Sequence, residues 1–441
     1  MLDARVVRAS PDAVKAATRV KGIASPELVD AWLVADETRR RAQTGAEALR
    51  AEQRKLSDRI GALKKQLGGG ADPELEGLMA RGDELKQEQQ ALADAQAAAE
   101  AEAEQIMLQL PAIPDPEWPV GADAGDNRVV RTWADPSCPP APLAASQKDH
   151  IALGRSLGIL DFERGVKLAG SRSYVVRGAG AQLYWAVLRF AQDTLARRGY
   201  EPFVVPVLVG EPCMIGTGYF PAGRDQAYVT QDNSVLVGTS EVPLASFHGG
   251  EILNEADLPM KFSALSTCFR REAGAAGRDT AGLYRVHQFD KVEQVVIHKA
   301  DEQEHIALHE EIVANAESIL QALKLPYRVV QNCTGDMGQA KWRMYDIETW
   351  MPSRGHYGET HSGSALRDFQ ARRLALRYRP RPTVEIKSPS PQFCYTLNNT
   401  AIACPRVLIS VLELYQQPDG SVAVPDALQP YMAGLDRLER R

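Results

Sequence analysis

Two stretches with a seven-residue repeat of leucine or isoleucine, separated by three glycines, constrain the fold of this chain most. The apolar residues of the repeat are Leu49, Leu56 and Leu63 before the glycines and Leu78, Leu85, Leu92 and Ile106 after them. Such a repeat is typical of helices that pack as a coiled coil. Because Gly68, Gly69 and Gly70 make only a short turn, each helix can bury its apolar seam only against the other. The pattern predicts an antiparallel helical hairpin with arms of roughly 40 residues, each about 60 Å long at 1.5 Å per residue.

The ends of the hairpin helices carry boundary signals. Ser25 and Asp72 are predicted to be N-caps, each followed by a proline at the first helical position. Pro111 and Pro114 end the second helix, because proline cannot continue the helical hydrogen-bond ladder. A further capped helix is predicted over residues 10–20.

The first helix of the hairpin is rich in basic residues, namely Arg50, Arg54, Lys55, Arg59, Lys64 and Lys65. Charges on a coiled coil usually form a solvated face. The same residues could instead bind phosphates if the hairpin touches nucleic acid. The pattern alone leaves both interpretations open. The formal net charge of −6 does not decide between them, because binding depends on where basic residues cluster.

The whole chain is too long for one hydrophobic core. Its 441 residues suit two or three domains, and aromatic residues, β-branched runs and glycine turns appear after about residue 150. We expect an N-terminal domain over residues 1–112 and a second domain over residues 113–441. A hydrophobic fraction of 44% and a charged fraction of 24% are typical of a globular protein and exclude overall disorder.

Targeting and cysteine patterns point to the cytoplasm. No apolar run approaches the 18 residues that a membrane-spanning helix needs, and residues 1–5 lack the apolar core of a secretory signal. The six cysteines lie far apart without a C-x-x-C pair, so we interpret them as reduced thiols. We therefore expect a cytoplasmic protein with no membrane partner and no zinc.

Strand-like segments dominate the middle of the chain. β-strands are predicted over residues 202–209, 261–270, 289–298, 327–331 and 394–400, and the last leads into an amphipathic helix over 406–415. With helices before and between them, these strands predict an α+β domain around a mainly antiparallel sheet.

Common nucleotide and metal motifs are absent from the sequence. Neither G-x-x-x-x-G-K-[ST] nor a G-x-G-x-x-G between a strand and a helix occurs, so ATP, if used, is bound in another way. His305 and His309 lie four residues apart on a predicted helix, which is metal-ligand spacing. Acidic residues surround them without the H-E-x-x-H pattern, so we interpret them as part of a solvated helix face.

The segment from Cys268 to Glu293 predicts a β-hairpin with polar residues that suit a nucleotide. Arg270 and Phe289 can point from adjacent antiparallel strands into one cleft, where a guanidinium would meet phosphate and an aromatic ring a purine. The carboxylate of Glu272 would suit an amino group. Taken alone, the same residues also fit a surface hairpin with ion pairs.

This segment is also where the chain resembles a known family. Residues 269–293 are similar, nearly residue for residue, to motif 2 of the bacterial-type seryl-tRNA synthetases, which are class II aminoacyl-tRNA synthetases. Residues 199–206 resemble motif 1, residues 397–416 resemble motif 3, and Thr239-Ser240-Glu241 matches the T-x-E serine loop of that family. The resemblance extends over nearly the whole chain, including the helical hairpin. It implies a class II catalytic domain and an ATP-dependent serine–tRNA ligase.

The resemblance implies roles for the residues at matching positions. The implied catalytic residues are Arg270, Glu359 and Arg406. The implied ATP ligands are Arg270, Glu272, Arg285, Phe289, Glu359, Ser362 and Arg406, with Mg²⁺ held at Glu359 between phosphates. The implied L-serine ligands are Thr239, Glu241, Arg270, Glu293 and Thr400.

The resemblance also implies partners. The hairpin arm would grip the long variable arm of serine tRNA, tRNA(Ser), largely through shape and phosphate contacts. The residues expected to bind tRNA are Arg50, Arg54, Lys55, Arg59 and Lys64. Motif 1 implies a homodimer, and no DNA partner is expected.

The chain departs from the common family pattern near the serine pocket. Asn399-Thr400-Ala401 stands where the family often has Gly-Ser-Gly, Ala365 replaces an asparagine, and Pro405 replaces a glycine. Three kinds of enzyme are compatible with these departures. The first is an ordinary seryl-tRNA synthetase, and the second is a second copy with a reshaped pocket that resists an inhibitor or serves biosynthesis. The third is a paralogue that activates another small amino acid. A non-catalytic tRNA-binding regulatory protein is a fourth alternative, against which the retained arginines argue.

Overall fold

The structure, a computed structural model, describes residues 1–68, 72–274, 277 and 281–440. The chain divides into two compact units. One unit combines Leu2–Arg19 with Ala24–Leu110, and the other combines Met1 and Val20–Ile23 with Pro111–Arg441. Gly69 and Gly70 of the predicted turn lie outside the described residues, as does part of the predicted loop between Glu272 and Arg285.

Long helices build the first unit. The helices of this part of the chain are α1 (Ala4–Ala9), α2 (Pro11–Lys21), α3 (Glu27–Leu67) and α4 (Pro73–Met107). Side chains along the heptad seam of α3 and α4 are buried or half-buried, whereas their neighbours on the outer faces are exposed. Across the seam, Gln89 Nε2 donates a hydrogen bond to Gln53 Oε1 at 2.9 Å. The predicted antiparallel coiled-coil hairpin is therefore confirmed.

The two predicted helix starts differ in outcome. The Asp72 carboxylate accepts the backbone N–H of Glu74 at 2.7 Å, with Pro73 at the first helical position, as predicted. Helix α3 begins one residue later than predicted, at Glu27. The hydroxyl of Ser25 donates to the Glu27 carboxylate, so it caps no backbone N–H there.

The second unit mixes helices and strands. Its helices are α5 (His150–Ser156), α6 (Phe162–Ala169), α7 (Ala179–Arg197), α8 (Glu211–Thr217), α9 (Glu241–Ser246), α10 (Glu302–Ala322), α11 (Phe369–Arg373) and α12 (Arg406–Leu414). Its strands up to the middle of the unit are β1 (Arg128–Trp133), β2 (Leu160–Asp161), β3 (Val175–Val176), β4 (Glu201–Phe203), β5 (Leu208–Gly210), β6 (Tyr228–Val229), β7 (Ser234–Leu236), β8 (Ile252–Asn254), β9 (Met260–Phe269) and β10 (Gln288–His298). The later strands are β11 (Tyr327–Gln331), β12 (Arg343–Met351), β13 (His356–Arg367), β14 (Arg377–Arg379), β15 (Gln392–Phe393), β16 (Tyr395–Cys404), β17 (Val422–Ala423) and β18 (Arg437–Leu438).

One large sheet organises this unit. Its strand order is β1-β11-β12-β13-β16-β10-β9-β4, and all neighbours are antiparallel except β4, which runs parallel to β9. Apolar residues of α7, α10 and α12, such as Val187, Ile312 and Val407, join the strands in one buried core. The predicted α+β architecture around a mainly antiparallel sheet is confirmed. Within the described residues, no helix is both long enough and apolar enough to cross a membrane.

The strand predicted over residues 202–209 is wrong as a single element. It divides into β4, which pairs with β9, and β5, which pairs with β7 of a separate small sheet. Pro202 and Pro206 have no backbone N–H and cannot extend one continuous ladder. Val204, between the two strands, is fully exposed.

The solvated face predicted for His305 and His309 is also wrong. Both side chains are buried on α10. His305 Nδ1 lies 2.7 Å from His298 Nε2, and His309 Nε2 lies 3.2 Å from the carbonyl oxygen of Gly363 in β13. Burial lowers the pKa of His309 to about 4, so the imidazole is neutral and packs against the sheet.

Candidate active site

The residues predicted for ATP and serine line one cavity of about 230 Å³ in the second unit. The predicted residues in its wall are Glu241, Arg270, Glu272, Arg285, Phe289, Glu293, Glu359, Ser362, Thr400 and Arg406. Thr239 is buried and does not belong to the lining of this cavity. Residues that are more than 160 positions apart in the sequence thus share one compartment.

Strand alternation explains much of this convergence. Successive side chains of a strand point to opposite faces, so Phe289, Lys291 and Glu293 of β10 share one face. All three line the cavity. In the register of β10 with β16, Glu293 lies opposite Thr400, next to an irregularity in the pairing. The pairing of β10 with β9 places Phe289 opposite Cys268, close to Arg270 at the end of β9.

One end of the cavity combines an aromatic ring with guanidinium groups. The Cζ atom of Arg270 lies 5.2 Å from the centre of the Phe289 ring. Arg285 Nη1 donates to Glu272 Oε2 at 2.5 Å. Glu272 has a φ of +53°, a left-handed conformation that is unusual for a residue other than glycine. This geometry fits the predicted cleft for a purine and its phosphates.

Arg406 and Glu359 form another part of the cavity wall. Arg406 begins α12, and its Nη1 atom donates to the Glu359 carbonyl oxygen at 2.7 Å and lies 3.5 Å from Glu359 Oε2. Its guanidinium also lies 4.4 Å from the centre of the Tyr284 ring. Behind Glu359, burial and then the Glu359 charge raise the pKa of Asp346 well above its ordinary value. The Asp346 carboxyl therefore favours its neutral, protonated form beside the Glu359 charge.

Buried carboxylates occupy the remaining end of the cavity. Glu293 Oε2 lies 2.5 Å from Lys291 Nζ and 3.4 Å from the Thr400 hydroxyl. Burial raises the pKa of Glu293, and the Lys291 charge opposes that rise. Lys291 also donates to the Thr239 hydroxyl at 2.8 Å. Thr239 thus contacts the site through Lys291.

Sequence reasoning missed several polar residues of this end. Lys291, Tyr219 and Asn398 line the cavity, and Gln370 donates to the Glu241 carboxylate from behind it. The alternation of β10 could have identified Lys291, because it lies between Phe289 and Glu293 on the same face. No short-range signal places the others beside Glu241.

The departures from the family pattern divide between the cavity wall, where Thr400 and Pro405 lie, and the packed interior around it. Ala365 and Ala401 are buried in the hydrophobic core. Asn399 donates through Nδ2 to the Ile312 carbonyl oxygen of α10 at 2.7 Å. Of the three positions 399–401, Thr400 lines the cavity. At position 400 the chain therefore keeps a hydroxyl in the cavity wall, that of Thr400.

The basic residues predicted to bind tRNA belong to the other unit. The side chains of Arg50, Arg54, Lys55, Arg59 and Lys64 are exposed on α3, and Arg59 pairs with Glu74 of α4. At 100° per residue, Arg50, Arg54 and Lys64 fall within about 80° of the helix circumference, and the other two fall on the opposite flank. The structure does not gather all five on one face.

Both parts of the chain match known protein families. Residues 1–114 match the seryl-tRNA synthetase N-terminal domain, and residues 228–415 match the tRNA synthetase class II core domain of the G, H, P, S and T enzymes. The serine–tRNA ligase of Deinococcus radiodurans is 42% identical over 99% of both chains. This chain belongs to the seryl-tRNA synthetase family. A second member, the serine–tRNA ligase of Akkermansia muciniphila, is 41% identical over 98% of this chain and 97% of its own.

Solved structures of seryl-tRNA synthetases share the fold. The enzyme from Pyrococcus horikoshii, complexed with ATP, superposes with a TM-score of 0.90 at 35% identity over the full length of both chains. The cytoplasmic serine–tRNA ligase of Naegleria fowleri, in complex with AMP, gives 0.84 at 29% identity over 100% of this chain and 99% of its own. The predicted family, enzyme class and fold class are therefore confirmed.

Proposed function

We propose that the protein activates L-serine with ATP and transfers the seryl group to the 3′ end of tRNA(Ser). The observation that carries this proposal is the single cavity in which three arginines, an aromatic ring and a threonine–carboxylate compartment meet. Its relatives bear the name serine–tRNA ligase, and two similar seryl-tRNA synthetase structures hold ATP or AMP. Both facts support ATP binding by this chain.

ATP occupies the end of the cavity between Phe289 and Arg406. Phe289 stacks on the adenine, and Glu272 contacts the adenine amino group. Arg270 binds the α-phosphate, and Arg285 contributes to phosphate binding. Arg406 contacts the nucleotide from the side opposite Phe289. Planar guanidinium groups suit this task because they bind phosphate through two parallel hydrogen bonds.

The donor set at Glu359 fits Mg²⁺. Its side chain is 48% exposed and lines the cavity, and Ser362 supplies a further hydroxyl in the same wall. Nearby, Asp346 Oδ1 is buried without a hydrogen-bond partner. Mg²⁺ prefers oxygen ligands and is usually held by one or two carboxylates together with substrate phosphates. When bound, it neutralises phosphate charge. No group of three or more His, Cys, Asp and Glu side chains arranged for a metal occurs in the described part of the chain.

Serine lies at the carboxylate end. Glu241 and Glu293 attract the ammonium group, with Thr239 behind them, and Thr400 pairs with the side-chain hydroxyl. A buried partner for the serine hydroxyl discriminates against alanine, because bound alanine would leave that partner without a hydrogen bond. Arg270, between the two ends, suits the serine carboxylate as it attacks.

The chemistry needs no general base in its first step. A carboxylate is already a nucleophile, so its attack on the α-phosphorus, which forms seryl-adenylate and releases pyrophosphate, requires in-line placement and neutralisation of negative charge. The arginines of the cavity supply both. In the second step, a ribose hydroxyl of the tRNA attacks the seryl carbonyl, and AMP leaves.

The helical hairpin binds the variable arm of tRNA(Ser). Helix α3 carries exposed cations, whereas the exposed charges of α4 are mainly acidic. The cluster of Arg50, Arg54 and Lys64 on one side of α3 is the best phosphate-binding surface among the five predicted residues. Lys55 and Arg59 contribute from the opposite flank. Residues 1–112 thus act as the tRNA-binding domain and 113–441 as the catalytic domain.

The protein is a homodimer in the cytoplasm. Large apolar side chains in and beside the motif 1 region are exposed, with Trp185 66% and Val204 100% accessible. Exposed apolar residues of this size favour a protein interface. The six free cysteines suit a reducing compartment. Sedimentation should therefore give twice the chain mass of 48.3 kDa, and the monomer mass would contradict the dimer.

ATP–pyrophosphate exchange tests the substrate. We expect exchange with serine to exceed that with threonine, alanine, glycine and cysteine. Stronger exchange with another of these amino acids would identify an altered paralogue. Absence of exchange with all five, together with tRNA binding, would indicate a regulatory protein.

A further inference from the structure

A tyrosine outside the predicted set lies at the serine end of the cavity. Tyr219 lines this cavity, and its hydroxyl donates to Glu241 Oε2 at 2.6 Å. The other oxygen of the same carboxylate accepts from Gln370 Nε2 at 2.7 Å and from Asn398 Nδ2 at 2.8 Å. Three neutral donors therefore fix the orientation of one buried carboxylate.

The charge balance distinguishes Glu241 from Glu293. Glu293 is paired with Lys291, whose ammonium lies 2.5 Å away. In the described part of the chain, Glu241 forms no ion pair, so its negative charge is not offset by a contacting cation. Desolvating an unpaired carboxylate is unfavourable, and a cationic ligand would relieve that penalty. The uncompensated charge at Glu241 thus suits the ammonium group of an amino acid.

The backbone immediately before Tyr219 has a conformation that favours glycine. Gly218 has a φ of +90°, and a Cβ atom there would lie 3.4 Å from the Phe369 ring and 3.5 Å from the Ala340 methyl group. Glycine suits this position because its φ is disfavoured for other residues. The left-handed turn at Gly218 thus leads into Tyr219, whose place beside Glu241 is given by the 2.6 Å hydrogen bond between them.

The protonation state of Tyr219 supports a donor role. Burial, followed by the adjacent Glu241 charge, raises the pKa of the Tyr219 hydroxyl well above its ordinary value. A phenol has a single proton to donate. Because that proton is engaged by Glu241, the oxygen can only accept from a ligand, and an ammonium group is a donor only.

We infer that Tyr219 is a positioning residue for amino-acid recognition, which holds the Glu241 carboxylate toward the substrate ammonium and walls the serine compartment with its ring. The inference rests on the proposed function. It assigns to Tyr219 an effect on serine binding that is separate from ATP binding.

Tyr219→Phe tests the hydrogen bond while keeping the ring. Hydrogen bonds to charged groups contribute about 1.5–3 kcal/mol, which corresponds to roughly tenfold or more in affinity. In serine-dependent ATP–pyrophosphate exchange, we expect the KM for serine to rise about tenfold and the KM for ATP to change less than about twofold. Alanine has the same ammonium group without the hydroxyl, so its inhibition constant against serine should rise by the same factor.

Tyr345→Phe is the matched control. Its hydroxyl donates to Glu310 Oε1 at 2.8 Å, and it does not belong to the cavity lining. An unchanged serine KM in Tyr219→Phe would overturn the inference, as would equal losses for serine and ATP or an effect on serine without one on alanine. Equal melting temperatures of the two variants would show that the fold is kept. If the unaltered protein itself shows no serine-dependent exchange, the proposed function fails instead.

Discussion

The catalytic cavity and the helical hairpin use charge in opposite ways. In the cavity, Glu241 is buried and receives three hydrogen bonds from fixed donors. On the hairpin, Arg81 contacts Glu52, Glu84 and Glu88 while 39% of its side chain is exposed. Water and salt weaken the exposed contacts, whereas buried groups keep their electrostatic strength.

This difference predicts how substitutions act in the two regions. A change in the cavity should affect one chemical step strongly and specifically, because each buried group has a defined partner. A change on the surface of the hairpin should act more weakly, depend on salt and affect tRNA binding alone. The predictions below test this contrast, from the largest effect to the smallest.

The largest effect is expected for Arg270→Ala. In the proposed function Arg270 contacts the α-phosphate and the serine carboxylate, so its loss would remove positive charge where phosphate charge develops in the transition state. Removal of one such group typically lowers the rate by about 10²–10³-fold or more, and serine-dependent exchange measures it. Arg271→Ala is the control, because Arg271 is exposed and lies outside the cavity lining. An exchange rate in Arg270→Ala as high as that of Arg271→Ala would contradict the assigned role.

A buried histidine of the catalytic unit should make stability depend on pH. The native pKa of His309 is lowered to about 4 from an ordinary 6.5 by burial. The unfolded chain therefore binds a proton that the native state excludes, and stability is lost as the pH falls from 6.5 toward 4. At pH 5 the loss is about 2 kcal/mol.

His309→Asn isolates this contribution, because it removes the titrating group and can still donate to the Gly363 carbonyl oxygen. Urea unfolding gives the free energy of unfolding at pH 7 and at pH 5. In His309→Asn the difference between these two free energies should be about 2 kcal/mol smaller than in the unaltered protein. His356→Asn, at an exposed position, is the control. An identical pH difference in His309→Asn and the unaltered protein would show that His309 does not titrate as its burial requires.

These two regions also differ in how far the sequence predicts them. The hairpin follows from a local repeat, and Leu85, a heptad residue, is fully buried as expected. The site residues could be assigned only through family motifs, because sheet pairing brings Arg270 and Arg406 together across 136 positions of the sequence. Tyr219 and Gln370 were missed for the same reason: no periodicity relates either to Glu241.

Tertiary packing also overrode two local patterns. Acidic neighbours made the His305 face of α10 look solvated, but the sheet covers that face. The run over residues 202–209 looked like one strand, but its prolines divide it between two sheets. In both cases the deciding contacts lie far away in the sequence.

A moderate effect is expected from charge reversal on the hairpin. Changing Arg50, Arg54 and Lys64 to Glu should raise the KM for tRNA about tenfold or more and leave exchange unchanged. Each lost phosphate contact should also reduce the salt dependence of tRNA binding by a slope of about 0.7–0.9. Aminoacylation and tRNA binding at several salt concentrations measure both effects.

Lys86→Glu on α4 is the control for that experiment, because Lys86 is exposed and belongs to the mainly acidic helix. Normal charging by the triple variant would reject the proposed surface on α3. Reduced exchange would instead contradict the expectation that these three residues act on tRNA binding alone.

The smallest effect concerns the polar pair in the hairpin seam. Gln89 donates to Gln53 at 2.9 Å within the heptad seam. Polar seam residues fix the register of a coiled coil at the expense of stability. Replacing both with leucine should therefore stabilise the hairpin by about 1 kcal/mol, whereas Gln53→Leu alone leaves the Gln89 amide unpaired and should destabilise it by a similar amount.

Amide hydrogen exchange along α3 and α4 can compare the single and double variants with the unaltered protein, because it reports local opening. The double variant should be protected more than the unaltered protein and the single variant less, and the difference gives the coupling between the two glutamines. Catalytic exchange should be the same in all three proteins. If the double variant gained no protection, the glutamine pair would stabilise the seam as well as two leucines do. The expectation that polar seam residues lower the stability of the hairpin would then be wrong.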